Sequence, residues 1–273
     1  MTTEKKVALV TGASSGIGKA IVRQLLGDGW VVYGAARRTD KMDDIAKEGA
    51  KTLSLDVTDE TSMKRGIDAL LAAEGRIDAL VNNAGYGSYG ALEEVPIEEA
   101  RRQFDVNVFG VVRLTQLVLP AMRAAKSGTI VNIGSMGGRI WMPIGGWYHA
   151  TKHAIEVLSD TLRLEVKPFG IRVVLVQPGS IASEWAGISA DNLEKASVGT
   201  AYGALTTPTT KLLRRAAGNA APPEVVARAV SRAVNSRSPA RRYAVPFDAK
   251  MLIFLVRWLP QWMWERLVLS LVR

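Results

Sequence analysis

Tyr148 and Lys152 stand four residues apart in the run Tyr148-His149-Ala150-Thr151-Lys152. On a helix this spacing places a phenol and an ammonium one above the other on the same face. An ammonium beside a phenol favours the phenolate and draws its pKa down from about 10 toward neutrality. A tyrosine tuned in this way passes a proton to or from an alcohol or carbonyl oxygen. Alone the pair is a weak signal, because Tyr-x-x-x-Lys arises by chance on many helices. A glycine-rich loop near the start of the chain gives it weight.

That loop is Thr11-Gly12-Ala13-Ser14-Ser15-Gly16-Ile17-Gly18. It follows the apolar run Lys6-Val7-Ala8-Leu9-Val10 and precedes an amphipathic stretch from Lys19 to Leu26, so the order reads strand, tight turn, helix. Glycines at 12, 16 and 18 let backbone N–H groups approach a ligand at a helix N-terminus, where the dipole favours phosphate. Gly12, Ser14, Ser15, Gly16, Ile17 and Gly18 are therefore the expected cradle of a nucleotide. The competing reading is a plain turn between strand and helix. A second strand pattern, Trp30 to Ala36, ends in Arg37-Arg38. An NAD site carries an acid near this point for the ribose 2′-hydroxyl. Here Ala36 occupies it, and Arg37 and Arg38 suit a 2′-phosphate through charge-assisted hydrogen bonds. NADP is the expected cofactor, against the alternative of two solvated arginines at a strand end.

Over roughly residues 5 to 245 the chain resembles the short-chain dehydrogenase/reductase family in its single-domain form. The matching residues stand in order: Thr11-Gly12-x-x-x-Gly16-Ile17-Gly18, Asp56-Val57, Asn82-Asn83-Ala84-Gly85, Asn107, Ser135, Tyr148 with Lys152, and Pro178-Gly179. At Ser183 the family often has threonine, and serine keeps the hydroxyl. The resemblance implies a doubly wound parallel sheet of the Rossmann type with helices on both faces. It implies Tyr148 as the acid/base, with Lys152 lowering its pKa and holding the nicotinamide ribose. Ser135 would bond the substrate oxygen, and Asn107 would hold a water in a proton relay. Asp56, Val57, Asn83, Ala84, Gly85, Pro178, Gly179, Ile181 and Ser183 join the loop and the arginines as the implied cofactor contacts. Among members, the tail is similar to that of bacterial proteins akin to hydroxysteroid and retinol dehydrogenases.

These elements fit one large α/β domain, residues 1–249, in a chain of 273 residues with alternating strand and helix patterns. Residues 184–221 follow the Pro-Gly turn and read as a substrate lid. Residues 250–273 are an apolar extension broken by Arg257, Pro260, Glu265 and Arg266. Neither of its apolar runs reaches the ~20 residues that span a bilayer. Its tryptophans and arginines fit a peripheral membrane contact, and a helical pair packed on its own domain or on a second subunit fits equally. Trp141, Met142, Pro143 and Trp147 fit either core packing or an apolar substrate pocket. His149 and His153 read as polar surface or supporting residues, and no cluster has metal-ligand spacing.

The chain has no cysteine and a formal net charge of +9. A cytoplasmic location is expected, since no apolar leader precedes the first strand. No basic stripe is interleaved with aromatics, so nucleic acid is not an expected partner. The expected activity is NADP-dependent hydride transfer to or from a carbonyl or secondary alcohol of an apolar, lipid-like substrate, by a homodimer or homotetramer. A 3-oxoacyl-thioester reductase is the enzymatic alternative. A dinucleotide-sensing regulator is the non-enzymatic one, although such proteins typically lose the tyrosine or lysine present here.

Overall fold

A computed structural model describes residues 5–182, 187, 189–191, 193–194 and 200–272. Seven strands form its sheet: β1 Val7–Thr11, β2 Val31–Ala36, β3 Lys51–Ser54, β4 Ala79–Asn82, β5 Gly128–Ile133, β6 Ile171–Pro178 and β7 Arg242–Val245. All neighbours pair in parallel, in the order β3-β2-β1-β4-β5-β6-β7. The doubly wound sheet expected from the sequence is the observed one. The strand order reverses between β1 and β4, and such a switch point opens a crevice at the carboxyl ends of the strands.

The strands read as near-continuous apolar runs because helices cover both faces. Period-two alternation sends Ala8 and Val10 of β1 to one layer and Val7 and Leu9 to the other. The first layer holds α1 (Gly16–Gly27) through Ile21, Val22 and Leu25. The second holds α3 (Glu60–Glu74), which follows the short α2 (Asp43–Lys47). Asp59 starts α3 by accepting from the N–H groups of Thr61 at 2.9 Å and Ser62 at 3.2 Å, and Gly75 ends it at φ 67°. Each fully buried Leu or Ile in these layers contributes about 1.5–3 kcal/mol.

The middle helix is continuous from Ile97 to Ala124 and changes pitch on the way. Helix α4 (Ile97–Phe104) runs into a π-helical turn, Asp105–Phe109, and on into α5 (Gly110–Ala124). Single π turns of this kind concentrate at functional sites, and this one carries Asn107. By length and composition the whole helix would cross a membrane. Leu114, Val118 and Met122 are instead spent on the sheet, as in any core helix. Helix α6 (Gly146–Val166) follows β5 and lies along β6. After β6 come α7 (Gly203–Gly218) and α8 (Glu224–Asn235), whose apolar face returns to the layer of α1. Glu224, directly after Pro222-Pro223, is the first residue of α8 and places an acid in its first turn.

Two helices close the chain: α9 (Phe247–Trp258) and α10 (Gln261–Leu271), separated at Leu259-Pro260. Trp264 and Val268 of α10 are buried against Ile140, with Leu252 and Val256 of α9 beside them. One side of the tail pair thus packs on its own domain.

Candidate functional site

Strand β1 delivers the glycine loop to the switch point. Gly12 has φ +67°, a left-handed conformation that glycine adopts without strain. A methyl on Gly18 would stand 2.2 Å from the Gly12 carbonyl oxygen, so only glycine fits there. Helix α1 begins at Gly16, three residues earlier than its amphipathic pattern, which places Gly16, Ile17 and Gly18 inside the first turn. Ser15 is the N-cap in an extended conformation and makes no side-chain capping bond. The first-turn N–H groups therefore stay open to an outside acceptor. A pocket of about 640 Å³ lies against Ser14, Ser15 and Gly16 and is also lined by Lys19, Lys41 and Lys47. Asp40, Asp43 and Asp44 share that wall. Asp44 is engaged by Lys19 at 2.8 Å and by Arg23, and the Lys19 hydrogen bond holds its carboxyl down at about 2. Arg37 and Arg38 are exposed at the end of β2, and Arg38 Nη2 reaches Ser14 Oγ at 3.5 Å. A glycine cradle and an uncapped helix start, with two exposed arginines nearby, fit a dinucleotide.

The ends of β1 and β4 are stitched by Thr11. Its buried hydroxyl donates to Val81 O at 3.4 Å and accepts from the N–H groups of Asn83 and Ala84, each at 3.0 Å. Asn83 Nδ2 donates to Thr11 O at 2.9 Å. Asn83 and Ala84 thus define the crevice floor by holding two strands together. Behind them a buried chain runs from Asn82 Nδ2 to Asn132 Oδ1 (2.9 Å) and from Asn132 Nδ2 to Ser159 Oγ (2.9 Å). Asp56 accepts from the Thr58 backbone at 2.9 Å, and Val57 packs where α5 begins at Gly110.

On α6, Tyr148 and Lys152 share a face, as the four-residue spacing requires, and both are buried. Lys152 Nζ lies 5.9 Å from the Tyr148 ring centroid and donates to Ile133 O at 3.0 Å. Burial pushes the Tyr148 phenol up to about 12, with the Ser135 hydroxyl pulling the other way, and burial brings Lys152 down to about 8. At the phenol desolvation outweighs the Ser135 hydrogen bond, while the Lys152 ammonium donates to a carbonyl. Ser135 follows β5 and accepts from Gly137 N–H at 3.0 Å. Asn107 Nδ2 donates to Tyr86 O at 2.8 Å and Thr151 Oγ1 at 3.2 Å, while its Oδ1 accepts from Tyr86 N–H at 3.0 Å. Its carboxamide clamps the backbone beside Gly85, where the nearest atoms are Asn107 Oδ1 and Lys152 Nζ. Ser135, Tyr148, Lys152, Asn107 and Gly85 therefore converge.

Pro178 and Gly179 end β6, and Ile181 is buried where it bridges to Ala221. Ser183 lies outside the described residues, as does part of 184–221. Within the latter segment, Ser189 Oγ donates to Gly87 O at 3.1 Å. Leu193 packs with Ala91 and Ile144 against Tyr89, whose ring sits 5.7 Å from that of Tyr148.

Several contributors have long-range partners that the sequence reading did not give. His149 is buried, and its Nδ1 lies 2.9 Å from Gly137 O, so the peptide after Ser135 is held at both ends. Burial lowers the His149 pKa, which makes the neutral Nδ1–H tautomer the donor. Glu156, 4% exposed, lies on α6 at i+4 from Lys152. Its Oε1 accepts from Gln177 Nε2 at 2.6 Å, and its Oε2 from Arg139 at 2.9 Å and Arg242 at 3.1 Å. Asp248 accepts from Ser180 N–H at 2.9 Å and so ties the Pro-Gly turn to α9. The turn and helix periodicity around a residue carries no trace of such long-range partners. Of the apolar residues before Tyr148, Trp141 stacks edge-on against Trp264 at 6.1 Å and Trp147 against Phe104 at 6.3 Å. Both tryptophans thus pack on neighbouring rings, and Tyr89 supplies an apolar neighbour of Tyr148.

Known proteins share this layout. A model of the short chain dehydrogenase family matches residues 6–193. A 3-ketodihydrosphingosine reductase of Bacteroides thetaiotaomicron is 44% identical over 176 residues, 64% of each chain. An NADPH-dependent 3-dehydrocapnine reductase of Ornithobacterium rhinotracheale is 38% identical over 188 residues, 66% of each. The matches thus span about two thirds of these relatives' length. A crystal structure of a short-chain dehydrogenase from Streptomyces avermitilis superposes with a TM-score of 0.84 at 36% identity, covering 99% of both chains. With the glycine loop, the Ser135–Tyr148–Lys152 cluster and the parallel sheet in agreement, the chain belongs to the short-chain dehydrogenase/reductase family.

Proposed function

We propose that this protein is an NADP(H)-dependent reductase of an apolar, lipid-like ketone, or the dehydrogenase of the corresponding secondary alcohol. The observation that carries the reading is the convergence of Ser135, Tyr148 and Lys152 beside an open phosphate cradle. When bound, the nicotinamide supplies or accepts the hydride. The chain's own residues do the rest. Hydroxyls of Ser135 and Tyr148 donate to the substrate oxygen as negative charge builds on it, which lowers the barrier. Tyr148 passes its proton to that oxygen. A phenol held near 12 is fully protonated at neutral pH, which suits the reducing direction. Lys152, buried beside it, is placed to stabilise the phenolate left behind.

Arg37, Arg38 and the lysines of the neighbouring pocket support NADP over NAD. An arginine–phosphate contact is worth about 1.5–3 kcal/mol, roughly ten- to a hundredfold in affinity. Competitive titration of NADPH against NADH tests this, and equal affinity would remove the preference. The lipid-like substrate is supported by the apolar surroundings of Tyr148 and by the names of the two reductases above. Exposed Phe109, Val157 and Leu164 on the α5 and α6 side support a homo-oligomer, and the lack of cysteine accords with a cytoplasmic location. NADPH oxidation against a panel of ketosteroids, retinal, long-chain 3-keto amino alcohols and acetoacetyl thioesters decides the substrate class. Turnover confined to the thioester would favour the acyl-reductase alternative.

A further inference from the structure

Helix α9 is apolar on two opposite faces. One face, Ala249, Leu252 and Val256, turns inward to the cluster around Ile140 and Trp264. The other carries Phe247, Met251, Phe254 and Trp258 at i, i+4, i+7 and i+11, a single stripe on a helix. These four are 76%, 45%, 62% and 68% exposed. Trp262 and Leu269 extend the stripe onto α10 at 59% and 40%. Soluble monomers rarely leave a contiguous apolar surface of this kind uncovered.

Cations border the stripe. At 100° per residue Lys250 and Arg257 fall together on one flank of it. Arg257 stacks on Trp258 at 5.7 Å and Arg266 on Trp262 at 5.9 Å. Among the described residues neither arginine has a carboxylate partner. Of the two acids on these helices, Asp248 is engaged by Ser180 and Ala249, and Glu265 accepts from Gln261. The outward face is therefore apolar at its centre and cationic at its rim. A second copy packed there about a two-fold axis would bring this cationic face against itself.

We infer that this face docks on an anionic lipid bilayer. Indoles would sit at the headgroup level, with the guanidiniums at the phosphates. At 12 and 11 residues the helices lie in the interface and do not span it. The same pair also grips the segment after Ser135. Trp264 Nε1 donates to Trp141 O at 3.2 Å, and Trp141 is itself 43% exposed. Docking would thus hold at the lipid the helix pair that grips this segment, which would let an apolar carbonyl reach the site from the bilayer. This last step rests on the substrate class proposed above; the docking does not.

The test is flotation of the full-length protein with phosphatidylcholine vesicles, with and without phosphatidylglycerol. The expected result is association with the anionic vesicles that weakens as salt is added. Phe254→Glu with Trp258→Glu should reduce it by about tenfold or more, and so should the milder Lys250→Glu with Arg257→Glu. Each variant should bind NADPH as the parent does, which reports an intact fold. Full-length protein that ignores phosphatidylglycerol vesicles overturns the inference. So does association that neither variant weakens, or a dimer that either variant dissociates without any lipid binding. Vesicle association without turnover of any carbonyl would sink the proposed reaction and leave the docking standing.

Discussion

Two regions of the molecule, the middle of the sheet and the segment beyond its β7 edge, solve their packing in opposite ways. At the β1–β4 switch point nearly every group is answered within the chain. Thr11, Asn83 and Asn132 have short partners, and an added methyl on Gly18 meets backbone at 2.2 Å. Beyond β7, Trp264 is 2% exposed while Trp258, six residues earlier, is 68% exposed. The first region is tightly constrained and leaves the first-turn N–H groups of α1 open to a phosphate. The second is apolar in excess of what its own domain covers. Closed geometry goes with chemistry that needs fixed atoms, and the surplus apolar face with recognition of an extended surface.

The largest expected effect lies at the closed end. Tyr148→Phe should lower kcat by about 10²–10⁴ and leave NADPH affinity within a few-fold, since only the proton donor is lost. Steady-state kinetics with a fluorescence titration of NADPH would show it, and undiminished turnover would take Tyr148 out of the mechanism. The pH profile sharpens the point. Burial favours the neutral amine of Lys152, so its ammonium is present below about 8 and lost above it. Reduction should therefore fall as pH rises through about 8, the sign opposite to that of a base that must lose a proton.

Next in size is Glu156→Leu. Stranding the partners of a buried ion pair costs about 3–5 kcal/mol. Arg139 is 42% exposed and can rehydrate, so the lower end, about 3 kcal/mol, is expected. Denaturant unfolding measures it. A loss below about 1 kcal/mol would mean that the three elements meeting at Glu156 hold together without it.

How far the sequence announced these regions follows from the range of the interactions. Strand alternation, the loop glycines and the Tyr148–Lys152 spacing are local patterns, and the sheet and the α6 face were legible from them. The start of α1 was missed by three residues because glycine obscures helix periodicity. His149 was read only as a polar surface or supporting residue, and Glu156 and Asp248 were not singled out. Their partners Gly137, Gln177 and Ser180 lie 12, 21 and 68 residues away, and nothing in their own neighbourhoods encodes that distance. The burial that raises the Tyr148 phenol was not legible for the same reason. Spacing gives the nearby ammonium, whereas burial is a property of the whole fold. For the tail, apolar content was plain in sequence, but which side chains face outward depended on where Ile140 and Trp141 stand.

Gly18→Ala probes the closed end more gently. Forcing a methyl against the Gly12 carbonyl should cost about 1–3 kcal/mol and weaken NADPH binding, because the loop must move. Gly27→Ala, where the added carbon meets nothing within 4 Å, serves as the control. It should be neutral or stabilising by about 0.4–1 kcal/mol. Equal effects at the two sites would mean that the loop has slack.

The smallest effect on stability belongs to the open end. Trp258→Gln with Phe254→Gln removes two large apolar side chains that touch little of the domain. Their rings lie 6.3 Å apart and pack partly on each other. Surface changes away from buried contacts usually fall within about 0.5 kcal/mol, and exchanging exposed aromatics for amides should also raise solubility. Trp264→Gln, six residues on, breaks the packing on Ile140 and the hydrogen bond to Trp141 and should cost about 3–5 kcal/mol. The pair of thermal melts sets outward and inward faces of one short segment against each other. Should Trp258 and Phe254 prove as costly as Trp264, the outward face is already covered in solution and its apolar surplus is illusory.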